Sequence, residues 1–207
     1  MAEFLDFLEP KIDEYNNLLS FNHIFVKRTA NVGTISSEDA IAYGLTGPCL
    51  RASGVRWDLR KCAPYDIYDR FEFDVPIGVA GGTDGIPPSA VVGDSWNRYF
   101  VRMEEMKQSV RILRQCIKQI PDGETRTKLP RSLALPKNEV YFEAENPRGQ
   151  LGFLIVGDGS PIPYRMKARG PCFCNLSITN HVCRGVLLAD IPAIIGSIDI
   201  VLGEVDR

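Results

Sequence analysis

An α+β fold follows from two stretches of opposite periodicity and from an apolar chain end. From about Ser95 onward, Tyr99, Met103, Met106, Val110, Leu113, Ile117 and Ile120 recur at three- and four-residue spacing, the stripe of one long core helix ending near Gln119. Residues 140–145, 151–156 and 164–169 are short strand-forming runs. Asn146-Pro147-Arg148-Gly149 and Gly157-Asp158-Gly159-Ser160-Pro161 separate them, so residues 140–169 read as a small antiparallel meander. The end of the chain holds Ile198, Ile200, Val201, Leu202 and Val205, more apolar surface than a frayed terminus carries. Residues 179–207 are therefore expected to form a buried terminal segment and part of a site.

The remaining elements follow in order. Residues 3–19 place Phe4, Leu8, Ile12, Tyr15 and Leu19 on one helical face with Asp6, Glu9, Lys11, Asp13 and Glu14 between them, and Pro10 is where that helix should bend or split. Ser36 or Ser37 caps a second short helix with Glu38 and Asp39 in its first turn and Gly44 at its end. Gly47-Pro48 marks a turn. Residues 49–75 read as irregular and dense in charge, with Phe71, Phe73 and Val75 in a brief extended run. Arg51, Arg56, Trp57, Asp58, Arg60 and Tyr65 suit an interface with arginine and aromatic anchors, but a surface segment tied down by local ion pairs is the reading slightly favoured. Residues 78–92, rich in glycine and proline, read as an extended, mobile surface loop. They bear no nucleotide fingerprint, because the glycine spacing is wrong and no lysine precedes a serine or threonine there.

Asp94 or Ser95 caps the long helix, whose Glu104 and Glu105 precede Lys107, Arg111 and Arg114, the order its dipole favours; Pro121-Asp122-Gly123 ends it. A polar, proline-bounded stretch over 122–137 leads to the meander, where Arg165, Lys167 and Arg169 share one strand face. Thr179 or Asn180 caps one later turn and Asp190 another, and Gly196 is expected to break the run before the terminal segment.

At 207 residues the chain is long enough for a single unit with a core of its own. A net charge of -2 gives no reason to expect a nucleic-acid partner. No stretch approaches the roughly 20 apolar residues that span a bilayer. The acidic start, Met1-Ala2-Glu3-Phe4, speaks against a secretory signal and a conventional mitochondrial presequence. Cys49, Cys62, Cys116, Cys172, Cys174 and Cys183 read as buried free thiols rather than disulfides, and the spacing of the last three is not a strong metal or cluster pattern. His23 and His181 lack the nucleophile and acid partners of a catalytic centre and read as structural or exposed.

Residues 45–61, LTGPCLRASGVRWDLRK, resemble a segment of the large hydrogenase-like subunit of respiratory complex I, the D subunit of NADH:quinone oxidoreductase. Further blocks at 65–76, 98–105 (RYFVRMEE), 143–157 (EAENPRGQLGFLIVG) and 187–207 agree in order. The resemblance covers nearly the whole chain but only the carboxyl-terminal half of the family, and it implies a nickel–iron-hydrogenase large-subunit-like fold. The family's other half supplies the histidine and tyrosine associated with the quinone headgroup, so a separate chain carrying the amino-terminal half is an expected partner. Met1 just before a helix favours such a division.

The resemblance further implies a component of the quinone-reduction module, with electron transfer from NADH to quinone coupled to proton translocation by the whole complex. This chain would hold no cofactor and would not be active alone. Ubiquinone would occupy a shared cavity beside a 4Fe-4S cluster held by the iron–sulfur subunit, with other complex I subunits as further partners. Asp199, Val201 and Arg207, where hydrogenases carry metal-ligand positions, are the residues implied to line or brace that cavity; no thiolate remains there, so nickel is not expected. The implied location is the matrix side of the mitochondrial inner membrane, peripherally through partners, or its bacterial or plastid equivalent. A structural or assembly subunit that kept the half-fold without touching quinone is the alternative.

Overall fold

The computed structural model describes residues 1–82, 85–128, 130 and 132–206. Thr83 and Asp84 of the 78–92 stretch, Leu129 and Arg131 of the 122–137 connection, and the site candidate Arg207 lie outside the described residues. In chain order the helices are α1 (Ala2–Tyr15), α2 (His23–Thr29), α3 (Ser37–Ala42), α4 (Pro48–Ala52), α5 (Leu59–Cys62) and the long α6 (Ser95–Gln119). After them come β1 (Glu139–Asn146), β2 (Gly149–Val156) and β3 (Arg165–Arg169), then α7 (Pro171–Leu176), α8 (Thr179–Val182), α9 (Ile191–Ile198) and α10 (Leu202–Asp206). The fold is α+β, with α6 as its axis and the antiparallel meander β1-β2-β3 at one side.

The start of α6 is over-determined. Asp94 Oδ1 accepts the Asn97 N–H at 2.7 Å, while Oδ2 accepts the N–H groups of Asn31 and Val91, each at 2.8 Å. One buried carboxylate thus caps the helix and pins two loops to it. Trp96 is fully buried, stacks on Phe100 at 4.6 Å and donates from Nε1 to the Ser20 carbonyl. Along α6, Met103 and Val110 pack against Leu5 and Ile12 of α1. A second core joins α3, α4, α8 and α9 through Ala40, Leu50, Val182, Ile194 and Ile198.

The meander is docked by two glycines. Gly47 has φ +66° and Gly149 has φ +135°, and a Cβ on Gly149 would run into the Thr46 side chain and the Gly47 backbone. Only residues without side chains allow this approach. Asn175 reinforces it, accepting the Thr46 N–H at 3.0 Å and donating to the Arg148 carbonyl at 3.3 Å. The β1–β2 turn, and Arg148 within it, therefore has a fixed place.

Several elements depart from the sequence reading. The inward line of α1 is Leu5 and Ile12, buried, with half-buried Leu8 between them, whereas Phe4, Tyr15 and Leu19 are exposed; Pro10 is accommodated inside the helix, which continues into a π turn, Asn16–Ser20. Toward its far end α6 exposes Leu113 and Ile117. Gly47-Pro48 does not merely turn: Pro48 opens α4, a position where its missing N–H costs nothing. Residues 49–75 also hold α5 and a 3₁₀ turn, Tyr68–Arg70. Gly196 lies within α9, and Asp190 makes no side-chain cap but pairs with Arg28 at 3.0 Å. The described part of 78–92 is irregular as expected but tied down, with Gly78 N–H on Arg51 O and Gly81 N–H on Ala90 O, and just beyond it Gly93 N–H on Ala52 O. Of the six cysteines, Cys49 and Cys172 are buried, three are half-buried and Cys62 is exposed.

The terminal segment divides. Ile194 and Ile198 are buried in the second core, but Val201 is 38% exposed and Leu202 72% exposed. α10 packs against α7 and half-buries Glu204 and Val205, but the described part of this chain leaves Leu202 open.

Candidate functional site

The candidate site is built where α9 ends against α6. Asp199 follows the last residue of α9 in the left-handed conformation, φ 59° and ψ 58°, a strained position that Asp tolerates better than most side chains. This turn aims its carboxylate between two guanidinium groups. Arg148 Nη2 lies 3.4 Å from Oδ1 while its Nε donates to the Asp199 carbonyl at 3.2 Å. Arg102 Nε lies 3.5 Å from Oδ2.

Arg102 also closes the helix. Its Nη1 donates to Ser197 O at 2.8 Å and its Nη2 to Ile198 O at 3.2 Å, which puts a positive charge on the carbonyl end of α9 where the helix dipole favours it. One turn earlier on α6, Arg98 is fully buried, and burial pulls its pKa down to about 10.

Two hollows meet at the Arg102–Asp199 pair, the only two among the described residues that line both. One, about 470 Å³, is largely apolar and is bounded by Phe25, Thr29, Tyr99, Ala193 and Gly196, with Arg28, Ser95 and Ser197 adding polar lining. The other, about 430 Å³, is charged, with Arg51, Arg60, Glu105, Glu145 and Arg148 around it. A larger hollow of about 760 Å³ between α1, the π turn and residues 74–79 contains neither residue, and its size alone gives it no chemistry. An apolar recess with a few convergent polar groups is the ordinary form of a small-molecule site.

Behind the charged hollow lies a buried ion cluster that the local-ion-pair reading of 49–75 missed. Arg51 is 1% exposed and pairs with Glu105 at 2.7 Å, Glu145 at 2.8 Å and Asp58 at 3.6 Å; Asp58 also accepts from Arg60 at 2.6 Å. Burial alone would pull the Arg51 pKa down, but its acidic neighbours outweigh that and raise it. Burial holds Glu105 above the usual carboxylate range against the pull of Arg51. For Asp58 burial acts upward, yet hydrogen bonds and charge from Arg60, with Arg51, leave its pKa lowered. A lowered carboxylate stabilises the fold above the ordinary Asp value, and that contribution disappears as pH falls through the folded value. The stability gap between wild type and Asp58→Asn should therefore be constant from neutral pH down to about 4 and close below it, in urea titrations at stepped pH. A gap that widened on acidification would contradict the assignment.

Of the predicted site residues, Asp199 stands at the junction of both hollows. Val201 lines neither; its N–H meets Cys172 Sγ at 3.4 Å and its side chain faces outward. Burial, then Glu204, pushes the Cys172 thiol up to about 11, so it is a neutral packing group. Among the described residues no three His, Cys, Asp or Glu side chains are grouped to hold a metal ion. Arg98, Arg102 and Arg148 were not singled out from the sequence; RYFVRMEE offered the signal, since two arginines four apart share a helix face.

Val201 and Leu202, just past Asp199 in the chain, leave an exposed apolar surface. The family described as respiratory-chain NADH dehydrogenase, 49 Kd subunit, matches residues 1–134 and 127–207. The chain belongs to that family. It is 49% identical over 207 residues to the D subunit of the NADH-quinone oxidoreductase of Dehalococcoides mccartyi, covering 100% of this chain and 53% of that protein. The D 1 subunit of the Opitutus terrae oxidoreductase is 47% identical over 233 residues (100% and 52%), and the D subunit of Chlorobaculum tepidum 47% over 211 residues (100% and 51%). The chain spans about half the length of these curated relatives. Among the described residues no helix is long and apolar enough to cross a membrane.

Proposed function

We propose that this chain is the carboxyl-terminal half of the quinone-reducing subunit of an NADH:quinone oxidoreductase, that Asp199 borders the quinone cavity, and that Val201 lines the part of it that a partner chain closes. The observation that carries the reading is Asp199 held between Arg102 and Arg148 where an apolar and a charged hollow meet. The apolar hollow suits a quinone ring or tail, and the guanidinium pair fixes the carboxylate that borders it. Val201 and Leu202, exposed here, would be covered by the amino-terminal half or by the subunit holding the 4Fe-4S cluster. Exposed Phe4, Phe7, Leu18 and Ile24 give that other half a second apolar flank.

Electrons would reach quinone from the neighbouring cluster, so the chain would act only inside the complex, coupled by the whole assembly to proton translocation. Its membrane attachment would run through other complex I subunits. The relatives named above are bacterial, which favours a bacterial membrane over the mitochondrial one. The test is the assembled complex carrying Val201→Trp or Asp199→Asn. Quinone reduction should fall about tenfold or more, while NADH oxidation by a water-soluble acceptor persists. Normal quinone turnover in both variants would leave the assembly-subunit reading standing instead.

A further inference from the structure

Arg98 is an expensive way to hold two helices together. It is fully buried, yet its acceptors are neutral: Nε donates to Ser197 Oγ at 2.9 Å, Nη1 to Gly93 O at 2.6 Å, and Nη2 to Gly33 O and Ser95 Oγ at 2.9 Å. An apolar side chain would join α6 to α9 without desolvating a charge. What a guanidinium adds is direction, because its planar fork sets several partners at fixed distances and angles. Three segments meet on that fork, and one of them is the last turn of α9.

Ser197 is the point of transfer. Arg98 grips its hydroxyl, which in turn donates to Ile194 O at 2.6 Å, while Arg102 grips its carbonyl at 2.8 Å. Two residues on, Asp199 Oδ2 lies 3.5 Å from Arg102 Nε, and that buried Nε has no hydrogen-bond partner among the described residues. The separation lies at the outer edge of hydrogen bonding, so a few tenths of an ångström in α9 decide whether Nε donates to Asp199. The wall between the two hollows is therefore sensitive to where α9 stops.

We propose that Arg98 is a positioning residue for Asp199: through Ser197 it fixes the seat of α9 on α6, and so the spacing of Arg102 and Asp199 at the mouth of both hollows. This rests on the quinone reading above. The test measures quinone kcat and KM per assembled complex for Ser197→Ala, Ser197→Cys, Ser197→Thr and Asp199→Asn, with soluble-acceptor activity counting assembled enzyme. Ser197→Ala removes the acceptor and should lower kcat/KM for quinone at least about fivefold, mainly through KM. Ser197→Cys, nearly equal in size with a weaker acceptor, should fall in the same direction by less, and remains informative if the alanine variant does not assemble. Ser197→Thr keeps the hydroxyl and should stay within about twofold. A loss confined to the amount of assembled complex, with turnover per complex unchanged, would make Arg98 purely structural and overturn the proposal. An impaired Asp199→Asn beside unimpaired Ser197→Ala and Ser197→Cys would overturn it alone; an unimpaired Asp199→Asn would remove the quinone reading itself.

Discussion

Arg51→Met is expected to cost about 3–5 kcal/mol of unfolding free energy, the penalty for stripping the partner from a buried charge. The arginine is 1% exposed and makes close contacts with Glu105, Glu145 and Asp58, besides donating to the Trp57 carbonyl at 3.0 Å. Methionine replaces the volume but none of the donors, so carboxylates from α6 and β1 would face each other beside the charged hollow without a cation between them. The cost should come mostly from those stranded carboxylates. Adding Glu145→Gln to Arg51→Met should therefore recover part of the stability, a non-additivity of neighbours sharing one network. Urea denaturation of the single and double variants checks both statements. A single-variant loss below about 1 kcal/mol would mean that the cluster behaves as a solvated surface pair.

That cluster also marks the limit of what the sequence disclosed. The long helix α6 was legible because its cap, its apolar spacing and its Pro-Asp-Gly stop all agree, and the meander because turn residues bracket short strand-forming runs. Arg51 was visible as a charge, but Glu105 and Glu145 lie 54 and 94 positions away, and no local pattern encodes which distant carboxylate an arginine meets. For the same reason the missed helix α2 carried only a cap as its signal: Asn22 accepts the Ile24 N–H at 2.9 Å ahead of just seven residues. The glycine expected to break α9 sits inside it, where short-range preference yields to packing of Ile194 and Ile198 in the core. Asp199 became a candidate through family resemblance, not periodicity. Its arginine partners emerged only when the fold brought together α6, the β1–β2 turn and the end of α9.

Arg102→Met should harm the site and the fold together, in a ratio that separates its roles. Loss of the guanidinium leaves Ser197 O and Ile198 O uncapped and removes a favourable charge from the end of α9, worth about 2 kcal/mol in a partly buried setting. It also leaves Asp199 with Arg148 alone, at 3.4 Å. Under the proposed function, quinone turnover per assembled complex should fall about tenfold or more, with soluble-acceptor activity retained. Arg102→Lys can still place one ammonium near the carbonyls but cannot reach both carbonyls and the carboxylate at once. It should accordingly restore much of the stability and little of the turnover. Equal recovery of both by lysine would show that charge alone, rather than the three-way grip on Ser197, Ile198 and Asp199, is what this wall supplies.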